Sequence, residues 1–133
     1  MNVEAHDFWL RAKEALRLAR HDIRVSADGA ASWAYYAAFY AVSALFAFKG
    51  QTFSKHSAVE AAVHRDLVKD EGWSAHLGSA YSRLNELRDV GHYGGTKHVT
   101  PVEAEHAIEM ADEILRAVAD AHPQDFALAE HES

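Results

Sequence analysis

Apolar residues recur at helical spacing in five stretches of the chain, and one of the five has no polar face. From Trp33 to Phe48 the residues are Trp-Ala-Tyr-Tyr-Ala-Ala-Phe-Tyr-Ala-Val-Ser-Ala-Leu-Phe-Ala-Phe, which form two apolar rows. One row is Trp33, Tyr36, Ala37, Tyr40, Ala41, Ala44, Leu45 and Phe48; the other is Tyr35, Phe39, Val42 and Phe46. A surface helix shows a single stripe, so this helix must be covered on both sides, by a bundle around it or by a second subunit.

The other four stretches are amphipathic. Phe8, Ala12, Leu16, Ala19 and Ile23 mark one face of a helix predicted from about Glu4 to Val25, and Ser26-Ala-Asp-Gly29 interrupts the pattern before the aromatic helix. Lys49-Gly50 follows that helix, and Ser54 is the predicted cap of a third, with Val59, Ala62, Val63 and Leu67 on one side and Lys69-Asp-Glu-Gly72 at its end. A fourth, from about Ser74 to Val90, repeats Leu77, Ala80, Tyr81, Leu84, Leu87 and Arg88, and stops at Gly91 and Gly94-Gly95. Thr100-Pro101-Val102-Glu103 opens the fifth as a capping box with proline at the first helical position, followed by Ala104, Ile108, Ala111, Leu115 and Val118. No stretch alternates as a strand does. Short connections between five helices predict an all-α, antiparallel up-and-down bundle over residues 1–121, with the aromatic helix at its centre. Residues 122–133 are acidic and aperiodic and are expected to be a flexible, frayed tail.

A membrane span is the competing reading of the aromatic stretch. A spanning helix needs about 20 predominantly apolar residues. Here Lys49-Gly50 ends the run, and three tyrosine hydroxyls and Ser43 would need partners in lipid. The N-terminus has neither the basic start nor the apolar core of a signal peptide, so a cytoplasmic protein without a membrane partner is expected. The 133 residues suffice for one domain that buries about two thirds of its unfolded surface. The chain has no cysteine, which excludes disulfides and thiol chemistry. A net charge of −7 argues against nonspecific attachment to nucleic acid and makes any anion site a local one.

Candidate chemistry gathers where the fourth helix ends, in Arg88-Asp89-Val-Gly-His92-Tyr93-Gly-Gly. Arg88 and His92, four residues apart, project from one side of the last turn. An arginine fork holds a phosphate and a histidine moves a proton near neutrality, the minimal equipment for a phosphodiester. The structural alternative pairs Arg88 with Asp89, Glu86 or a partner's carboxylate and leaves His92 as a helix cap. Ser54-Lys55-His56 forms a second polar cluster, either a phosphate site at a helix N-terminus or an ordinary cap with solvated side chains. Glu103-x-x-His106 has the spacing of a metal-binding pair, but the further carboxylates of a di-iron bundle are not placed around it, and no metal or cofactor is expected. Phosphate-loop, GxSxG and HExxH motifs are absent from the chain.

Four blocks in order carry a family likeness: Ser32-Trp-Ala-Tyr-Tyr-Ala-Ala-Phe-Tyr-Ala, Lys55-His56 after Lys49-Gly50, Leu84-x-x-Leu87-Arg88-x-x-x-His92-Tyr93-Gly94, and Val102-Glu-Ala-Glu-x-Ala-Ile. Together they resemble the HEPN domain (higher eukaryote and prokaryote nucleotide-binding), in its short stand-alone prokaryotic form, from about Phe8 to Val118. The resemblance implies a bundle of about five helices, a homodimer, and pairing with a minimal nucleotidyltransferase as a toxin–antitoxin system. Ribonuclease members of the family carry an arginine, a polar residue after it, and a histidine after four to six intervening positions. Arg88-Asp89 fits that pattern, whereas only three residues separate Arg88 from His92. The stand-alone branch also has arginine, three residues, then Asp-Tyr, which Arg88 and Tyr93 match with His92 in the aspartate's place.

Two functions follow from the resemblance. In the first, Arg88, Asp89, Tyr93, Lys55, His56 and Tyr36 form a groove that holds a nucleotide, RNA or a partner's acidic surface without turnover. In the second, the chain is a metal-independent endoribonuclease in which His92 is the acid–base group, Arg88 stabilises the transition state and the RNA 2′-hydroxyl attacks. Related toxins carry, two positions after the histidine, a tyrosine that their nucleotidyltransferase adenylylates; the resemblance makes Tyr93 the candidate counterpart, although it follows His92 directly. It is expected either to be presented on a glycine-flanked turn or to pack against Tyr81 or the last helix.

Overall fold

A computed structural model describes residues 2–128. Five α-helices make an all-α bundle: α1 (Val3–Asp22), α2 (Ala27–Phe48), α3 (His56–Ala62), α4 (Ala75–Tyr93) and α5 (Pro101–Ala121). A π-helical segment, Val63–Asp70, continues α3 and turns Val63 and Leu67 inward. Polar caps set most of the helix starts. Asn2 accepts from the Ala5 N–H, Ser26 from Gly29, Ser74 from Leu77 and Thr100 from Glu103. The Thr100–Glu103 box forms as the sequence predicts, with Pro101 at the first helical position. Such a cap stabilises a helix by about 1 kcal/mol.

Helix α2 is the centre of the bundle, packed against α1, α3, α4 and α5. Its alanines explain how four neighbours come so close. Ala30, Ala31, Ala34, Ala37, Ala38, Ala41 and Ala44 are fully buried, so helices approach on nearly every side without large side chains between them. Tyr35, Val42, Leu45 and Phe46 fill the remaining space. Helix α2 is long and apolar enough to cross a membrane by length and composition alone, yet 67% of its most apolar window is buried inside the bundle.

Helix ends depart from the sequence expectation at four places. Ser26 caps α2, so Ala27, Asp28 and Gly29 belong to the helix rather than to a break before it. Lys55, not Ser54, is the N-cap of α3, and it makes no side-chain cap bond. Helix α4 runs three residues past Val90 and carries His92 and Tyr93 on its last turn. The expected fray after Ala121 is also incorrect as far as Leu128. Phe126 is fully buried, its ring 5.3 Å from Trp9 and 5.6 Å from Phe48, and the Trp9 indole N–H donates to the Ala127 carbonyl at 3.0 Å. One aromatic residue in a short aperiodic segment leaves no periodic trace, but burying it tethers the segment. Residues 129–133 of the predicted tail lie outside the described residues.

Phe126→Ala should therefore destabilise the protein by about 3 kcal/mol or more, the usual scale for emptying a buried phenylalanine site. Urea denaturation checks this. A change below about 1 kcal/mol would mean that the segment is not held in solution.

Candidate functional site

Two polar groupings flank the ring of Tyr36. The first lies inside the bundle, where α2, α3 and α4 meet. The Arg88 guanidinium sits 4.5 Å over the Tyr35 ring, donates from Nη1 to His56 Nδ1 at 3.2 Å, and from Nη2 to Asp89 at 3.2 Å. Because a guanidinium only donates, His56 Nδ1 is an acceptor, and the Tyr35 hydroxyl must donate to it as well, at 2.9 Å. The ring therefore holds its own proton on Nε2. Burial, followed by the Arg88 charge, lowers the His56 pKa, which keeps this imidazole neutral. His56 also stacks on Phe39, with ring centroids 4.3 Å apart. Burial raises the pKa of the Tyr35 phenol, and holds that of Tyr81 well above its usual value.

Among the described residues, Arg88 Nε and Asn85 Oδ1 are buried here without hydrogen-bond partners. They lie beside a continuing polar seam: Glu60 accepts from Ser82 at 2.7 Å and from Asn85 at 2.9 Å, and Ser82 also meets His64 at 2.9 Å. Desolvated charge costs free energy that neighbouring dipoles must offset. For Arg88 the Tyr35 face offsets part of it, as a desolvated cation–π contact contributes about 2 kcal/mol.

The second grouping is an open cleft of ≈ 560 Å³ between the start of α2 and the end of α4. Asp28, Ser32, Trp33, Tyr36, Tyr40 and His92 supply its side chains. Ser32, Tyr36 and Tyr40 recur at helical spacing on α2 and so share one face. His92 reaches the cleft because α4 passes close to the first turn of α2 at Gly91, where an added Cβ would stand 3.3 Å from the Asp28 carbonyl oxygen. There His92 Nε2 meets Ser32 Oγ at 2.7 Å. Asp28 accepts from His98 at 2.6 Å and from the Val99 N–H at 2.7 Å, and these two bonds lower its pKa, the His98 contact most.

The residues singled out from the sequence are thus divided. Arg88, His56 and Asp89 come together, His92 lies with Ser32 in the cleft, and Tyr36 stands between, lining the cleft while its ring edge meets His56 at 6.0 Å. Arg88 pairs with Asp89, one of the partners foreseen for it, but the pair is only part of its environment. Lys55 is exposed. Tyr93 is 80% exposed on the helix end, so neither the glycine-flanked turn nor packing against Tyr81 describes it. Glu103 is engaged by Thr100 and Arg83, and no cluster of three potential metal ligands occurs among the described residues. Sequence reasoning missed Tyr35, Asp28, Ser32 and His98 as site residues. The signal for Ser32 was its register with Tyr36 and Tyr40, hidden by placing the helix start too late.

The family profile of the HEPN domain matches residues 5–121, and the chain belongs to that family. It is 42% identical over 84 residues to a UPF0332 protein of Thermotoga maritima, a match covering 63% of this chain and 64% of that protein. Its fold is similar to the crystal structure of TT1696 from Thermus thermophilus, with a TM-score of 0.78 and 27% identity, over 90% of this chain and 98% of that one.

The depressed His56 pKa has a consequence for stability. Above the ordinary histidine pKa both folded and unfolded chains are neutral at this position; below it the unfolded chain takes up a proton first, so His56 makes stability fall as pH drops towards the folded pKa. Urea midpoints of wild type and His56→Gln at pH 8 and pH 5.5 should show a smaller loss in the variant. Equal losses would show that His56 is not held neutral.

Proposed function

We propose that this HEPN-domain protein is the homodimeric HEPN component of a two-component system with a minimal nucleotidyltransferase, and that its cleft binds a nucleotide-class ligand or a partner's surface without turnover. The observation that carries this reading is the division of the two groupings. Arg88 is held by Tyr35, His56 and Asp89 and reaches the cleft only through Tyr36, while His92 is bonded to Ser32 in a cleft walled by Trp33, Tyr36 and Tyr40. A transition-state clamp needs its cation and its acid–base group at one reacting atom. Aromatic walls with a few polar groups suit recognition of a planar ligand.

The dimer has its support in α2. Its core-facing alanines are dry, but Trp33 is 37% exposed and Tyr36, Phe39 and Tyr40 are only partly covered, a strip that crosses both predicted apolar rows. A symmetry mate would cover part of what the bundle leaves open, so that the cleft would lie at the edge of the interface. Light scattering at micromolar concentration should give twice the 14.7 kDa chain mass, and Phe39→Asp should shift it towards monomer. A wild-type monomer would defeat the dimer.

Metal-independent ribonuclease activity is the second reading, favoured by the 2.7 Å contact that orients the exposed His92 ring. In that case cleavage persists in EDTA, leaves a cyclic phosphate or 3′-phosphate, and falls by about two orders of magnitude or more in His92→Ala. A folded wild type that cleaves no RNA leaves the binding role. Tyr93, exposed and at a helix end, has the accessibility that a modifying transferase requires. Co-expression with a transferase encoded beside it, followed by intact-mass measurement, should show an added AMP on wild type that Tyr93→Phe lacks; a stable complex with unchanged mass would mean docking alone.

A further inference from the structure

We propose that His56 is a proton-operated latch on Arg88, holding the guanidinium in the polar seam while the imidazole is neutral and releasing its Nη1 end when Nδ1 takes up a proton. The inference concerns the seam alone and stands whatever the cleft binds. One ring atom carries it. His56 Nδ1 accepts from Arg88 Nη1 at 3.2 Å and from the Tyr35 hydroxyl at 2.9 Å, so a proton placed there faces two donors. The two donors differ in what they can do next. A phenol rotates and accepts, whereas a guanidinium has no acceptor. Tyr35 therefore reverses its bond, receiving the Nδ1–H and turning its own proton to the Tyr81 hydroxyl, its other hydrogen-bonding neighbour. Arg88 cannot, and two cations then stand at hydrogen-bond distance with no bond between them.

The surroundings decide which partner moves. His56 is clamped by rings, stacked on Phe39 with centroids 4.3 Å apart and meeting the edge of Tyr36 at 6.0 Å, and an aromatic face holds an imidazolium as well as an imidazole. Arg88 keeps two other contacts, the Asp89 carboxylate at 3.2 Å from Nη2 and the Tyr36 hydroxyl. The Asp89 side chain is 55% exposed against 17% for Arg88, so the released guanidinium moves outward. Tyr35 and Tyr81, whose phenols burial keeps protonated, add no charge beside the imidazole. Among the charged neighbours, Arg88 on α4 and Lys55 next in the chain oppose protonation, whereas Asp89 and Glu60 favour it. Burial and then the Arg88 charge lower the His56 pKa, which sets the opening on the acid side of the ordinary histidine range. The proton comes from solvent, because the ring is only half-buried.

Nitrogen NMR on the full, isotope-labelled chain between pH 8 and pH 5 tests this. At pH 8 the His56 ring should show the Nε2–H tautomer, and on acidification the Arg88 Nε–H and guanidinium signals should move with the same midpoint as the His56 ring. In His56→Gln, whose amide oxygen accepts at every pH, the Arg88 signals should stay in place. In Arg88→Gln the His56 midpoint should rise, since the opposing charge is gone. Far-ultraviolet circular dichroism establishes that each protein remains folded across the range, and where a variant does not fold, the wild-type tautomer and shared midpoint decide. An Nδ1–H tautomer at pH 8, Arg88 signals that stand still while His56 titrates, or unfolding before His56 takes up its proton would each overturn the proposal. Equal Arg88 shifts in wild type and His56→Gln would assign them to another titration, such as that of His92 four residues on, and would overturn it as well.

Discussion

Everything in this fold depends on keeping one helix dry. Helix α2 has so few polar side chains that water is a poor neighbour on any of its faces, and the remaining helices are arranged to exclude it. Alanine makes this possible, because a helix studded with small side chains admits close neighbours on several sides at once. Matching alanines on α1 (Ala12, Ala15, Ala19) and α5 (Ala104, Ala107, Ala111, Ala119) are buried in the same core. Large side chains are then needed only at a few points, and Phe126, arriving from beyond α5, closes one end over Trp9 and Phe48.

The same constraint makes the polar seam between α3 and α4 unusual. A guanidinium that is 17% exposed, a neutral imidazole and two buried phenols are held within the apolar surroundings of α2. Electrostatics alone does not favour burying them. The compensation is a shared arrangement in which Tyr35 serves as a cation-binding face for Arg88 and a hydrogen-bond donor to His56, while Arg88 depresses the histidine's pKa further. Each member fixes the others. Among the described residues, the unpartnered Arg88 Nε and Asn85 Oδ1 mark where this arrangement falls short of full satisfaction.

HEPN membership and the fold set the frame, within which Arg88 and His92 make separate contacts. Two side chains four apart on a helix start out on one side, but the contacts they make draw them towards different neighbours: Arg88 to the rings beneath Tyr36, His92 to the hydroxyl at the start of α2. Close passage of α4 at Gly91 is what allows the second contact.

How much of this was legible in the chain follows from the range of each interaction. Helix number, the central place of α2, the Thr100–Glu103 cap and the HEPN resemblance rest on local spacing and short motifs, and these are properties of the amino-acid sequence itself. Boundaries were less legible, since Ser26 and Gly91 look like breaks until it is known that one caps a helix and the other lets two helices touch. Candidate residues such as Arg88, His92, His56 and Tyr36 could be chosen by type, but their partners could not. His56 and Arg88 are 32 positions apart, Ser32 and His92 are 60 apart, and Trp9 finds the Ala127 carbonyl 118 positions away. Sequence pattern by itself determined which segments are helical and which of them had to be buried; tertiary packing decided which polar groups meet, because those contacts depend on how closely helices pass and no periodicity along the chain encodes that distance.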